Sequence, residues 1–482
     1  MLEIAKSDIL ARLRFDNPWW DEEQGIVQFQ EMPRRKYFAS FLEAVQDRSV
    51  QRAVVLMGPR RVGKTVMVYH AVRTLLDRGV DPKAILYLSL ETPIYTGLVL
   101  ERLLHYFLEI CGHKRDSQLY VFFDEIQYLA QWEIHLKSLV DSYPAYKFVA
   151  TGSAAAALRL KSNESGAGRF SDFILPPLTF AEYLMFIGRE DELIERVQDE
   201  REQFRCNDVE ALNDEFVRYL NIGGYPESVF SKTIRENPGQ YIKSDIIDKV
   251  LLRDLPSLYG ISDIQELNRL FTTLAYNTGN EVSLEKLSQS SGVAKNTIKR
   301  YLEYLEAAFL IRRVERIDQN AKRFQRAMCF KVYLTNPSMR AALFGRVEPE
   351  SAAMSALTET AIFSQWQHDK DFSLYYARWN SGEIDLVYLD PSNQKPLWAV
   401  EVKWSDHPYS NRDELDNCVD FYVKNPSLKN SQSMLHQPFM VTSRTIEDST
   451  VVHRGIAFRF RPSSLYAYEL GANLLDKLKL SQ

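Results

Sequence analysis

The spacing of apolar residues divides the chain into stretches of different period. Up to about Val50 the pattern is amphipathic, and "RRKYFASFLEAV" is predicted as a helix. Beyond it, short and wholly apolar runs recur at Ala53–Met57, Ala84–Leu90, Leu119–Phe123 and Lys147–Thr151, with helical stretches between them. Apolar strands alternating with helices predict a parallel sheet covered on both faces. From Leu178 to about Tyr276 the chain reads as mostly helical, broken by "GGYPES". Val282–Ile317 then reads as helix, turn at Gly292, second helix and strand. Leu284, Leu287, Val293, Ile298, Leu302, Leu305 and Phe309 supply its apolar stripe, the shape of a helix-turn-helix with a following wing. After about Val347 a helix holding Glu359 precedes the strands "FSLYYARW", "GEIDLVYL" and "LWAVEVKW", and the tail closes in a helix near Leu474. In "LWAVEVKW" alternation puts Trp398, Val400, Val402 and Trp404 on one face. The other face carries Glu401 and Lys403 side by side, and burying either charge alone is costly.

Composition changes this picture little. A chain of 482 residues has room for about three domains, and 45% hydrophobic with 26% charged residues is ordinary for globular proteins. The net charge of -5 excludes a uniformly basic coat but leaves room for a local basic patch. Cys111, Cys206, Cys329 and Cys418 lack metal-like spacing and read as reduced residues. No apolar signal core or bilayer-spanning run is present, so a cytoplasmic protein without membrane contact is expected.

Candidate chemistry begins at "GPRRVGKT", which follows the first strand and opens a helix, as the phosphate-binding G-x-x-x-x-G-K-[ST] pattern requires. Gly58, Pro59, Arg60, Arg61, Val62, Gly63, Lys64, Thr65 and Val66 are the expected nucleotide-binding residues. Loop amides and a helix N-terminus attract phosphate, Lys64 would reach the β- and γ-phosphates, and Thr65 would bind Mg²⁺. In "LYVFFDEIQYL", Asp124 ends a strand within reach of the Mg²⁺ shell, and Glu125 can act as general base. Ser153, after the next strand, is placed to sense the γ-phosphate. Arg159 and Arg169 follow; Arg169 is favoured as an arginine finger for a neighbouring subunit's nucleotide, with a plain salt bridge as its other reading. ATP and Mg²⁺ are therefore the expected cofactors.

At these residues the chain resembles the bacterial and archaeal AAA-type ATPases that carry an uncharacterised C-terminal nuclease-like domain. The resemblance rests on "GPRRVGKT", "FFDEIQYL", "TGS", "LPPLTFAEYL", "GGYPE", "LLRDLPSLYGI", "NTIKRYLEYLEAAFLI" and "GEIDLV" with "VEVK". It implies an α/β architecture: a P-loop AAA-type parallel-sheet ATPase core, a helical lid, a winged-helix region and a C-terminal restriction-endonuclease-like domain. The expected boundaries are 1–50 for a helical lead-in, 51–178 for the ATPase core, 179–276 for lid and linker, 277–346 for the winged helix and 347–482 for the nuclease-like domain. By analogy, a homo-oligomer with nucleotide sites shared between subunits is expected. "NPWW" in the lead-in receives no chemistry from this reading.

Asp385, then about fifteen residues, then Glu401-x-Lys403 resembles the PD-(D/E)xK nuclease core, in which carboxylates hold Mg²⁺ and the lysine stabilises the attacking water or the scissile phosphate. Glu359 matches the further carboxylate of an upstream helix; Gln365 shares that helix and Arg378 lies on the strand before Gly382. Asp and Glu-x-Lys are common at loose spacing, so cleavage is left open and a structural ion pair remains the other reading of Glu401 with Lys403. Lys295, Asn296, Thr297, Lys299 and Arg300 crowd the start of the second helix of the helix-turn-helix, where DNA is the expected partner. The resulting expectation is an ATPase that binds DNA and couples nucleotide state to a metal-dependent nuclease-like domain; a defence or mobile-element role fits that pairing. The alternative is a nucleotide-switched binding protein whose nuclease-like domain is a docking module.

Overall fold

A computed structural model describes residues 5–21, 27–152, 168–197, 203–323, 329–366, 373–430 and 439–480. The chain divides into two compact units, Met1–Pro176 with Leu478–Gln482, and Pro177–Lys477.

The first unit is built on a five-stranded sheet of β1 (Ala53–Met57), β2 (Ile85–Ser89), β3 (Tyr120–Asp124), β4 (Lys147–Gly152) and β5 (Phe170–Ile174), in the order β2-β3-β4-β1-β5. Every pairing is parallel, and β1 is buried along its whole length, as a continuous apolar run requires. The helices α1 (Lys6–Asp16), α2 (Phe38–Gln46), α3 (Lys64–Asp77), α4 (Leu100–Cys111) and α5 (Trp132–Ser142) accompany it. The helix expected over "RRKYFASFLEAV" begins only at Phe38, leaving Arg34 and Arg35 in the preceding loop.

β2 is an edge strand, and "NPWW" covers that edge. The Asn17 side chain accepts from the Tyr87 amide at 2.6 Å and donates to the Tyr87 carbonyl at 2.9 Å, as a neighbouring strand would. The indole N–H groups of Trp19 and Trp20 both donate to the Ile85 carbonyl, at 3.2 and 2.8 Å. An exposed edge invites pairing with another chain, and these side chains remove it.

The second unit opens with α6 (Phe180–Phe186), whose N-terminus is closed by a capping box between Thr179 and Glu182. A short hairpin, β6 (Ile194–Arg196) with β7 (Phe204–Cys206), interrupts the helical stretch that the sequence pattern predicted. Next come α7 (Val209–Ile222) and α8 (Ile264–Tyr276). The remaining strands form one nine-stranded sheet in the order β15-β16-β14-β13-β12-β11-β9-β10-β8. They are β8 (Glu281–Ser283), β9 (Ile311–Ile317), β10 (Cys329–Leu334), β11 (Leu374–Arg378), β12 (Glu383–Leu389), β13 (Pro396–Glu401), β14 (Phe439–Ser443), β15 (Ser449–His453) and β16 (Ile456–Pro462).

Between β8 and β9 lie α9 (Leu284–Ser291) and α10 (Lys295–Ala307), joined through Gly292 at φ 73. A left-handed residue there is what ends α9, and glycine takes it without strain. The strand β9 serves two neighbours: Ile311–Glu315 pair antiparallel with β10, and Glu315–Ile317 pair parallel with β11. The strands that flank the helix pair and those of the C-terminal stretch thus share one sheet.

Alternation along β11–β14 fills both faces of that sheet. Tyr376, Leu386, Trp398, Val400 and Met440 pack with α11 (Met354–Trp366) and the helix Ser463–Leu480. Tyr375, Ile384, Val387, Ala399 and Val441 pack with α12 (Asp416–Lys424). Each large side chain so buried contributes about 1.5–3 kcal/mol. The strand expected over Leu397–Trp404 ends at Glu401, although Val402 and Trp404 still join the face of Trp398 and Val400. Past the strand end, Thr442 Oγ1 accepts from the Lys403 amide at 2.8 Å and donates to its carbonyl at 2.9 Å.

Candidate phosphate and carboxylate sites

The loop Gly58–Gly63 links β1 to α3. Gly58 has no alternative residue: a Cβ there would lie 2.1 Å from the Leu175 carbonyl oxygen. Arg61 at φ 65 and Gly63 at φ 94 turn the loop through left-handed backbone. Pro59 and Val62 are buried, Arg60 is half-buried, and Val66 lies in the first turn of α3. Arg35, itself buried, donates to the Val62 carbonyl at 2.9 Å and to the Pro176 carbonyl at 3.1 Å, a charge-assisted brace for the loop.

Lys64 is buried, and its ammonium donates to the Gly58 and Pro59 carbonyls at 3.0 and 2.7 Å. Thr65 Oγ1 donates to Asp124 Oδ2 at 2.9 Å. The Tyr87 hydroxyl donates to the same oxygen at 2.8 Å, and the Thr151 hydroxyl donates to Asp124 Oδ1. Burial and the neighbouring Glu125 push the Asp124 carboxyl above its ordinary range, and these three hydroxyls oppose the shift. Glu125 sits at φ 52, its amide donates to Thr151 Oγ1 at 3.2 Å, and Gln127 donates to its carboxylate. A non-glycine residue held in left-handed backbone at a strand end is a strain that functional sites carry. Thr65 beside Asp124 fits the Mg²⁺ shell of a bound nucleotide, and Lys64 fits its phosphates.

Two further expectations concern this region. Ser153 and Arg159 lie outside the described residues. Arg169 is half-buried just before β5 and pairs with Asp141 of its own chain.

On α10, Lys295, Asn296, Lys299 and Arg300 are exposed and Thr297 half-buried, while Ile298, Tyr301, Leu302 and Leu305 face inward. Lys295 pairs with Glu285 and Arg313 with Glu306, so part of the basic field is neutralised within the unit.

The C-terminal acids come together at the sheet. Asp385 lies near the start of β12 rather than at a strand end, and antiparallel pairing sets that start beside the end of β13. There Asp385 Oδ2 accepts the Val402 amide at 2.9 Å. Glu401 Oε1 pairs with the Lys403 ammonium at 2.8 Å, while Glu401 Oε2 is buried with no hydrogen-bond partner. Burial, then Asp385, raises the Glu401 carboxyl to about 7, with Lys403 opposing. Glu359, on α11, is raised to about 7 by the same two causes in the same order, with Lys331 opposing. Gln365 does not take part; it bonds the Phe180 amide at 3.0 Å inside the core. Arg378 pairs with Glu383 at 3.0 Å.

One residue in this cluster had no place in the sequence reading. The Lys331 ammonium, on β10, lies 2.8 Å from Glu359 Oε1, 2.6 Å from Glu383 Oε1 and 3.3 Å from Asp385 Oδ1, with a side chain only 2% exposed. Burial alone would drive it neutral, but Glu359, Tyr333, Asp385 and Glu383 hold it charged, well above the ordinary lysine range. Tyr333 donates to Glu359 from the same strand. The three acids assigned to one ion do not converge as folded. Among the described residues, the group with ligand atoms all within 4.8 Å of one another is Asp413, Asp416 and His453. A divalent ion therefore does not fit Glu359, Asp385 and Glu401 with Lys331 in place.

Other residues missed by sequence reasoning are Arg35, Tyr87 and Thr151. Thr151 stood at the end of a predicted strand beside Asp124, which was signal enough. Arg35 and Tyr87 carried none beyond being polar groups next to apolar runs.

A glycine-bounded loop, a buried lysine, a strand-end acid pair and an all-parallel sheet together define a P-loop nucleotide-binding core. Residues 50–184 match the family model described as AAA domain. Residues 213–350 match a domain of unknown function, DUF8612. The chain is 25% identical over 350 residues to an uncharacterized protein of Haemophilus influenzae, covering 72% of this chain and 81% of that one. It is 24% identical over 366 residues to an uncharacterized protein of Methanocaldococcus jannaschii, covering 72% and 75%. Among solved structures, AMPPCP-bound DnaA from Aquifex aeolicus aligns over 61% of this chain and 92% of that chain at 13% identity, with a TM-score of 0.29. Among the described residues, no helix is long and apolar enough to cross a membrane.

Proposed function

We propose that the chain binds and hydrolyses ATP at the Gly58–Val66 loop and uses the nucleotide state to act on DNA through α10 and the C-terminal carboxylate-bearing module. The observation that carries this is the Thr65–Asp124 contact at 2.9 Å, with Lys64 held against the loop and Glu125 alongside. Lys64 would leave its loop carbonyls for the β- and γ-phosphates. Glu125 would orient a water and take its proton, with Thr151 fixing the Glu125 backbone. Mg²⁺, held by Thr65 and Asp124, would supply charge neutralisation between the phosphates. The helical stretch 179–276 would serve as lid, 277–346 as a winged helix and 347–482 as a PD-(D/E)xK-like module. Assembly into an oligomer would free Arg169 from Asp141 to reach a neighbour's nucleotide.

The experiment is equilibrium binding of labelled ATP together with phosphate release. Lys64→Ala is expected to lose binding by tenfold or more. Glu125→Gln is expected to keep binding and lose turnover by roughly 10²-fold or more. Unchanged ATP affinity in Lys64→Ala would remove the nucleotide assignment.

A second reading of the C-terminal module is favoured by Lys331, whose ammonium sits among Glu359, Glu383 and Asp385. In that reading the module docks a partner and does not cut. Plasmid incubated with Mg²⁺ and ATP separates the two: cleavage lost in both Asp385→Ala and Lys403→Ala supports catalysis, and intact DNA throughout supports docking.

A further inference from the structure

The acids of the C-terminal module are already neutralised from within the chain. Lys331 reaches them from β10, two places from the β11 strand in the sheet order, because β9 pairs with both strands in succession. Its ammonium is within hydrogen-bond or ion-pair distance of Glu359, Glu383 and Asp385, at 2.8, 2.6 and 3.3 Å. The Tyr376 ring lies beneath it, with the ammonium 5.4 Å from the centroid. Tyr333 adds a hydroxyl donor to Glu359. This is a finished coordination environment for a cation, and the cation is an amine on a tether.

We propose that Lys331 occupies the place of a divalent cation between Glu359 and Asp385, so that the site takes a metal only when the Lys331 ammonium is absent or displaced. The inference rests on reading these acids as a nuclease-like metal site. Two observations make it specific. Glu401 Oε2 is buried and unpartnered, an acceptor beside Asp385 that the lysine does not serve. And Glu359 Oε1 and Asp385 Oδ1 both face the Lys331 ammonium, so an ion held by these atoms would lie directly against it. Two cations at contact distance repel strongly in a low-dielectric interior, so occupancy is exclusive.

The test uses the full chain without nucleotide. Mn²⁺ is titrated and the loss of its free-ion EPR signal followed, in the native protein, Lys331→Met, Lys331→Gln, Asp385→Asn and the double variant Lys331→Met with Asp385→Asn. The expected result is Mn²⁺ bound at least tenfold more tightly by Lys331→Met and Lys331→Gln, with the gain abolished in the double variant. Ions held elsewhere, at Asp413, Asp416 and His453 for instance, are indifferent to Asp385 and subtract out. Because removing Lys331 strands buried carboxylates, thermal unfolding is measured alongside: Mn²⁺ is expected to raise the melting temperature of Lys331→Met and not that of the native chain. If the native protein binds Mn²⁺ through Asp385 and the Lys331 variants bind it no better, the competition is refuted and the metal site stands. If no variant binds Mn²⁺ or is stabilised by it, both fail.

Discussion

Single residues decide the two sites. Gly58 has the Leu175 carbonyl against it, so Gly58→Ala must move either the loop or the segment that follows β5. ATP affinity is expected to fall at least tenfold, as measured by the same binding titration, with secondary structure unchanged by circular dichroism. Asn17 offers a different case. Asn17→Ala would leave the Tyr87 amide and carbonyl without their partner at the β2 edge. A cost of about 1–3 kcal/mol is expected, read as a lower urea midpoint at unchanged slope. The phosphate residues were legible because their spacing is dictated by the shape of a phosphate, and the loop that holds them is contiguous. Lys331 was not legible, because it stands 54 positions from Asp385 inside "CFKVYL", where a lysine in an apolar strand gives no hint of its partners. "NPWW" was opaque for a related reason: its hydrogen bonds go to a strand some seventy residues on, at |i−j| of 70 for Asn17 and 65 for Trp20.

At the level of elements, periodicity located most strands and helices, since buried parallel strands and amphipathic helices each leave a regular trace. Ends were harder. β13 stops at Glu401 because Thr442 takes over the backbone of Lys403, a side-chain event that alternation does not record. The hairpin β6–β7 has strands only three residues long, too short for a period to show. Among the described residues the exposed Lys299 and Arg300 of α10 make no ion pair, unlike Lys295, and are the better probes of the proposed DNA contact. In anisotropy titrations with duplex DNA, Lys299→Ala with Arg300→Ala is expected to weaken binding and to lower the slope of log K against log salt by about 2. Equal slopes for the two proteins would remove α10 from the interface.

For the molecule as a whole, each unit buries its own core, so two unfolding transitions are expected. A non-hydrolysable ATP analogue at about 100 times its dissociation constant should add about 2.7 kcal/mol to the unit holding Lys64. Calorimetry is expected to show one transition move and the other stay. With a net charge of -5 the molecule as a whole does not attract DNA from a distance, so the contact proposed for α10 rests on its local field.

The shared strand β9 has a mechanical consequence. Its first half is stitched to the ladder bearing Lys331 and its last residues to the ladder beside Asp385. Side chains in a ladder keep their facing only in steps of two, so the smallest permitted slide of β10 along β9 is about 6.8 Å. That stroke exceeds the reach of any of the three lysine contacts. The pairing register of β9 and the seating of the amine among its acids are therefore set together: a ladder that keeps its pairing also keeps the socket filled.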